Sequence, residues 1–183
     1  MENEVQKTHH TQPTRILALD VHPRSFGYVV VETPNKLLDW GVRSHRHKGN
    51  STDVLIRRRL KPLLELWRPT VVVLCNGLSR QRTHQRRDRL LKRIATEAKN
   101  HQVAVRILKK RPGTDAGKGL TKYENARRAA EQFSVLRWKI PAKRRAWESE
   151  YYRMSMFTAA TLAIAQLNIT NSSPAPSSPQ DSQ

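Results

Sequence analysis

Five stretches of the chain carry apolar residues in short runs, and four carry them at helical spacing. Arg15–Val21 (RILALDV) is a short apolar run closed by the turn residues His22-Pro23-Arg24-Ser25, which predicts a buried strand. Gly27–Glu32 is rich in β-branched residues and predicts a second strand. After the turn Thr33-Pro34-Asn35-Lys36, Leu37–Val42 predicts a third, and turns this tight join antiparallel neighbours. Ser51, Thr52 or Asp53 can cap a helix reaching to about Trp67, with Pro62 expected to kink or interrupt it. Thr70–Cys75 is almost continuously apolar, as in a strand covered on both faces. A basic helix is predicted from about Gln85 to Asn100, with Leu90, Leu91, Ile94, Ala95 and Ala98 as its inner stripe. Val103–Leu108 predicts a fifth strand. Thr121–Glu124 has capping-box spacing ahead of a helix to about Phe133. Pro141 precedes a last helix expected from about Arg145 to Leu167.

The order β-β-β-α-β-α-β-α-α predicts an α/β fold: a five-strand mixed sheet, an antiparallel meander followed by a βαβ unit, flanked by helices. Strands four and five are expected to be parallel through a right-handed crossover. The folded part spans 15–167 as one domain, in keeping with 183 residues at roughly 150 per domain. Residues 1–14 are polar and aperiodic and are expected to form a flexible lead. Residues 168–183 are Ser- and Pro-rich and too poor in apolar groups to offset ordering entropy, so a disordered tail is expected.

Charge changes the picture most. The chain holds 34 Lys and Arg against 15 Asp and Glu, a net charge of +19. That field points to a polyanionic partner. No run approaches the ~20 apolar residues that span a bilayer, and no secretory signal is visible. A single cysteine excludes a disulfide framework and a Cys-based zinc site. A cytoplasmic protein is expected, associated with the nucleoid if it binds DNA.

The first strand ends in Asp20, six residues (VHPRSF) follow, and Gly27-Tyr28 opens the second. Farther on, Arg68-Pro69 leads into the strand Val71–Cys75. This spacing and element order resemble the RuvC type of Holliday-junction resolvase, within the ribonuclease-H-like superfamily, over residues 15–167. The resemblance implies hydrolysis of phosphodiesters by two divalent ions, Mg²⁺ or Mn²⁺, held by four carboxylates. Asp20 matches the first of these and is the candidate catalytic and metal-binding residue. The other three positions fall on Cys75, Thr158 and Thr161. A thiol and two hydroxyls do not balance the charge of two close cations. Glu148 and Glu150 are weaker candidates; on the predicted helix Glu150 precedes Thr158 by eight residues, or ~12 Å. Glu32 and Asp39 lie on neighbouring strands.

Each of these residues also has a purely structural reading. Asp20 could bond its own backbone at a strand-to-turn junction, Cys75 is a small buried hydrophobe, and Thr158 and Thr161 lie beside a core stripe. His45 and His47 lack a third ligand and belong to a basic loop. The candidate nucleic-acid contacts are Arg80, Arg82, Arg86, Arg87 and Arg89; Lys109, Lys110, Arg111 and Lys118; and Lys143, Arg144 and Arg145. Arg57, Arg58 and Arg59 add a further run. Trp138 and Trp147 accompany the last cluster, as core residues or as stacking platforms. The expected function is binding of branched or structured nucleic acid, DNA rather than RNA, mainly through phosphates, with impaired or lost cleavage. An active crossover-junction endonuclease built on Asp20 and a basic protein-interaction adaptor are the alternatives. By the resemblance, a homodimer would suit a two-fold symmetric junction.

Overall fold

The computed structural model describes residues 13–44, 51–76, 84–108, 120–145 and 147–171. Strands β1 (Arg15–His22), β2 (Ser25–Glu32) and β3 (Lys36–Ser44) form the antiparallel meander. Strand β4 (Val71–Cys75) returns parallel to β1, and β5 (Ala104–Leu108) lies parallel to β4. The sheet order is β3-β2-β1-β4-β5, so β1 is central. The five-strand mixed sheet expected from the sequence is the one observed.

Alternation along the strands divides the core in two. Ile16, Ala18, Val29, Val31, Val73 and Cys75 face α4 (Lys122–Gln132) and α5 (Met154–Asn171). Leu17, Leu19, Tyr28, Val30, Val72 and Leu74 face the opposite layer. That layer holds α1 (Ser51–Leu55), α2 (Lys61–Trp67) and α3 (His84–Asn100). Both faces of β1 are therefore covered, which explains why its apolar run is nearly unbroken.

Pro62 interrupts its helix as expected, and the manner is visible. The chain widens into a π-helical turn at Ile56–Leu60, and Pro62 then sits in the first turn of α2. There its missing N–H leaves no bond unmade. The capping box at Thr121 and Glu124 is present with both reciprocal bonds. Its two Thr121 donors hold the Glu124 carboxyl below the usual range.

The last helix differs from expectation. It starts at Met154, not near Arg145, and continues past Leu167 to Asn171. Residues 140–153 lack an apolar stripe, and the groups around Glu148 bond locally instead. The Glu148 carboxylate accepts from the Arg145 backbone N–H at 2.8 Å, and Arg144 donates to the Glu148 carbonyl at 2.6 Å. At the far end, the Thr170 hydroxyl donates back to the Gln166 carbonyl at 3.0 Å. A 3-10 segment at Ser134–Lys139, absent from the sequence expectation, joins α4 to this stretch. The lead before residue 13 and the tail after residue 171 lie outside the described residues, as do His45, His47, Arg80, Arg82, Lys109, Lys110, Arg111 and Lys118.

Candidate functional site

Asp20 lies near the carboxyl end of the central strand, on the α5 side, and is 2% exposed. Two residues on, His22 shares its face, because side chains alternate along a strand. The two are 3.0 Å apart, Oδ2 to Nε2. A carboxylate only accepts, so Nε2 carries the proton of this bond. The β1–β4 ladder ends at Leu19↔Leu74, which places Asp20 and Cys75 one step beyond it on the same face. Cys75 is itself buried at 2% exposure.

Gly27 is the register partner of Asp20 on β2. A Cβ at Gly27 would collide with the backbone of Ser155 and Met156. Only glycine therefore lets the first turn of α5 lie directly on the sheet beside Asp20. Its neighbour Tyr28 serves the opposite face. The Tyr28 hydroxyl donates to Asp39 at 3.1 Å and accepts from Arg43 at 2.9 Å, and Trp67 Nε1 donates to the same carboxylate at 3.2 Å. Burial, reinforced by the Asp39 carboxylate, pushes the Tyr28 phenol up to about 12.

The two other strand acids do not supplement Asp20. Asp39 is engaged in the Tyr28 network, and Glu32 pairs with Arg15 at 2.8 Å. Thr158 and Thr161 donate to the Met154 and Phe157 carbonyls one turn back, at 3.1 and 2.9 Å. Glu148 and Glu150 stand before α5 rather than on it, so the ~12 Å helical separation from Thr158 does not apply. Glu150 instead lines a cleft of about 690 Å³ together with His22, Ser25, Ser155 and Tyr152. It also pairs with Lys122 at 2.5–2.7 Å.

These residues do not fit a pair of divalent ions. Hard cations of this kind need several anionic oxygens in one place. Beside Asp20 stand the Cys75 thiol and the His22 imidazole, and the Thr158 and Thr161 hydroxyls are bonded to their own helix. Among the described residues no three His, Cys, Asp or Glu side chains group closely enough to hold a metal ion.

The basic residues separate into two kinds. Arg87 is 8% exposed; its Nε donates to the Val21 carbonyl at 3.0 Å and a terminal nitrogen to the Cys75 carbonyl at 2.6 Å. It ties the carboxyl ends of β1 and β4 together, a structural place that its position in a basic run did not reveal. Arg57, Arg58, Arg59 and Arg89 are exposed on the α1–α3 layer. Lys143, Arg144 and Arg145 are exposed on the other side of the sheet, before α5.

Aromatic side chains accompany this last group. Trp138 is 71% exposed, Trp147 78% and Tyr152 61%. The core reading of the two tryptophans is thereby corrected. Sequence reasoning passed over His22, Tyr151, Tyr152 and Arg153. The spacing of two from Asp20 was the available signal for His22, and the Tyr-Tyr-Arg run was the signal for the others.

No protein-family model and no curated protein matches the sequence. Solved structures do. RuvC of Thermus thermophilus in complex with a Holliday junction substrate is 15% identical, with a TM-score of 0.56 over 87% of this chain and 97% of that one. A second RuvC structure from Thermus thermophilus is 17% identical, with a TM-score of 0.51 over 85% and 97%. The Fowlpox virus resolvase in complex with Holliday junction DNA is 12% identical, with a TM-score of 0.51 over 86% and 99%. The chain therefore has a RuvC-like resolvase fold.

Proposed function

We propose that this protein binds branched DNA, such as a four-way junction, chiefly through its phosphates and without metal-dependent cleavage. The observation that carries this is a resolvase-like sheet whose strand-end site offers, among the described residues, one buried carboxylate, Asp20, in a chain of net charge +19. Exposed cations stand on both layers of that sheet. A straight duplex lies along one side of a protein, whereas the diverging arms of a branched one reach more than one. Arg suits such contacts because its planar fork bonds two phosphate oxygens at once. Contacts of this kind set orientation and carry little sequence information.

Salt tests the proposal directly. If ~6–10 phosphates are contacted, junction affinity falls ~10³–10⁵-fold between 50 and 200 mM salt. A salt-independent affinity overturns it.

One observation favours a second reading. Glu150 and His22 line the same cleft, and His22 touches Asp20. An active endonuclease would draw on this group. It requires Mn²⁺- or Mg²⁺-dependent nicking of a junction that Asp20→Asn abolishes. Junction binding with no nicks in either protein retains the first reading.

A further inference from the structure

The segment 137–153, between the 3-10 turn and α5, combines features that phosphate binding does not require. Trp138, Trp147, Tyr151 and Tyr152 are all exposed, between 42% and 78%. Tryptophan is ordinarily well buried, and this molecule does bury its other two at least in part. Trp40 packs on the α5-side core, and Trp67 packs on the opposite core with its N–H bonded to Asp39. The exposure of Trp138 and Trp147 thus belongs to this segment and not to tryptophan throughout the fold.

Each of the four rings has a cation near it. Lys139 Nζ lies 3.5 Å from the Trp138 ring centre, and the Arg145 guanidinium lies 5.7 Å from Trp147. Arg153 lies 5.7 Å from Tyr151 and 5.5 Å from Tyr152. The segment holds six basic residues against two acidic ones. Beside it, a cleft of about 460 Å³ opens against the start of α4. Tyr123, Tyr151, Pro141 and Met154 give it apolar walls, and Lys122 and Lys143 stand on its lining. Its size falls within the ~300–1,000 Å³ of clefts that take a whole small ligand. Glu150 and Tyr151 also line the cleft next to His22, so the two clefts adjoin along this segment.

Flat exposed rings beside cations match a base that is unstacked and the phosphate that follows it. A paired base hides both of its faces in the duplex, so it offers such rings nothing. We infer that residues 137–145 and 147–153 form a binding surface for unpaired DNA nucleotides, with one base received between Tyr123 and Tyr151. The inference rests on the DNA-binding reading above and adds to it a contact with bases that phosphates alone do not give.

The test uses the full chain at fixed salt with three probes: an oligo-dT strand, a fully paired duplex and a four-way junction. The variants are Trp138→Ala with Trp147→Ala, and the matching pair of Trp→Phe substitutions. Each exposed ring can stack on a base, so the alanine pair should lose at least roughly ten-fold affinity for oligo-dT. Its duplex affinity should change less than about two-fold, and the phenylalanine pair should retain most of the oligo-dT affinity. Both positions are exposed, so an unchanged melting temperature confirms that the variants fold. Equal losses on oligo-dT and duplex, or no loss on either, overturn the inference and leave phosphate binding standing. A wild-type protein that binds none of the probes overturns both.

Discussion

The strand end around Asp20 and the segment 137–153 adjoin, yet they are built on opposite terms. At the strand end, Asp20, Cys75 and Arg87 are buried, and Thr158 and Thr161 return their hydroxyls to their own helix. Little of that bonding capacity faces outward. Along 137–153, the rings and most of the cations face solvent, and the backbone is held by short-range bonds around Glu148. The contrast teaches where this chain invests its polar groups. At the strand end they bond within β1, from α3 to the ends of β1 and β4, and within α5; on the neighbouring segment they remain available to a ligand. Substitutions in the first region should change stability and leave affinity alone, and substitutions in the second should do the reverse.

The largest stability effect is expected at Gly27. In Gly27→Ala the new methyl group meets the Ser155–Met156 backbone, which cannot rotate away as a side chain can. The cost should reach or exceed ~3 kcal/mol, the upper end for overpacking. At this chain length that is a fall in Tm of roughly 6–12 °C. A variant that melts like the wild type would show that α5 does not rest on this glycine.

Arg87→Ala comes next. It removes two charge-assisted bonds to the Val21 and Cys75 carbonyls. At ~1.5–3 kcal/mol each, and with some relaxation, a loss of about 3 kcal/mol is expected in chemical denaturation. Junction affinity should stay within about two-fold. A large loss of affinity in a variant of unchanged stability would place Arg87 among the DNA contacts instead.

Alkaline pH probes the layer opposite Asp20. The Tyr28 phenol titrates near 10.0 in the unfolded chain and at about 12 in the folded one. Its protonated form is therefore favoured by folding. That contribution is fully present below pH 10 and is lost as pH rises toward 12, an amount of about 2–3 kcal/mol. Denaturation followed across pH 9–12 should show this loss in the wild type and not in Tyr28→Phe. The same slope in both proteins would assign it to other groups.

The smallest effect is expected for Asp20→Asn on junction binding. The carboxylate is buried, so affinity should change by less than about two-fold in a direct binding titration. A gain or loss of ten-fold would bring Asp20 into the interface and erase the contrast drawn above.

Much of the fold was legible because local signals agreed with one another. Apolar runs bounded by turn residues marked the strands, and the Thr121–Glu124 spacing marked the start of α4. The last helix was misplaced because RRAWESEYYR is composed of adequate helix formers without an apolar stripe. Propensity alone does not hold a helix that has no face to bury. Arg87 was misjudged for a related reason. It stands in a run of arginines, and only its position on α3 under the ends of β1 and β4 turns its guanidinium inward.

The sequence by itself determined the element order, the excess of positive charge and the identities of Cys75, Thr158 and Thr161, because each depends only on which residues are present and how they are spaced. The tertiary structure alone decided which residues share a surface. Strand alternation and helix packing bring His22 to Asp20 and Glu150 to Lys122, and send Asp39 to the far face of the sheet with Tyr28. They also leave Trp138 and Trp147 in solvent while Trp67 is partly covered. Exposure and proximity are properties of the packed chain: Trp67 meets a core, and Trp138 and Trp147 do not.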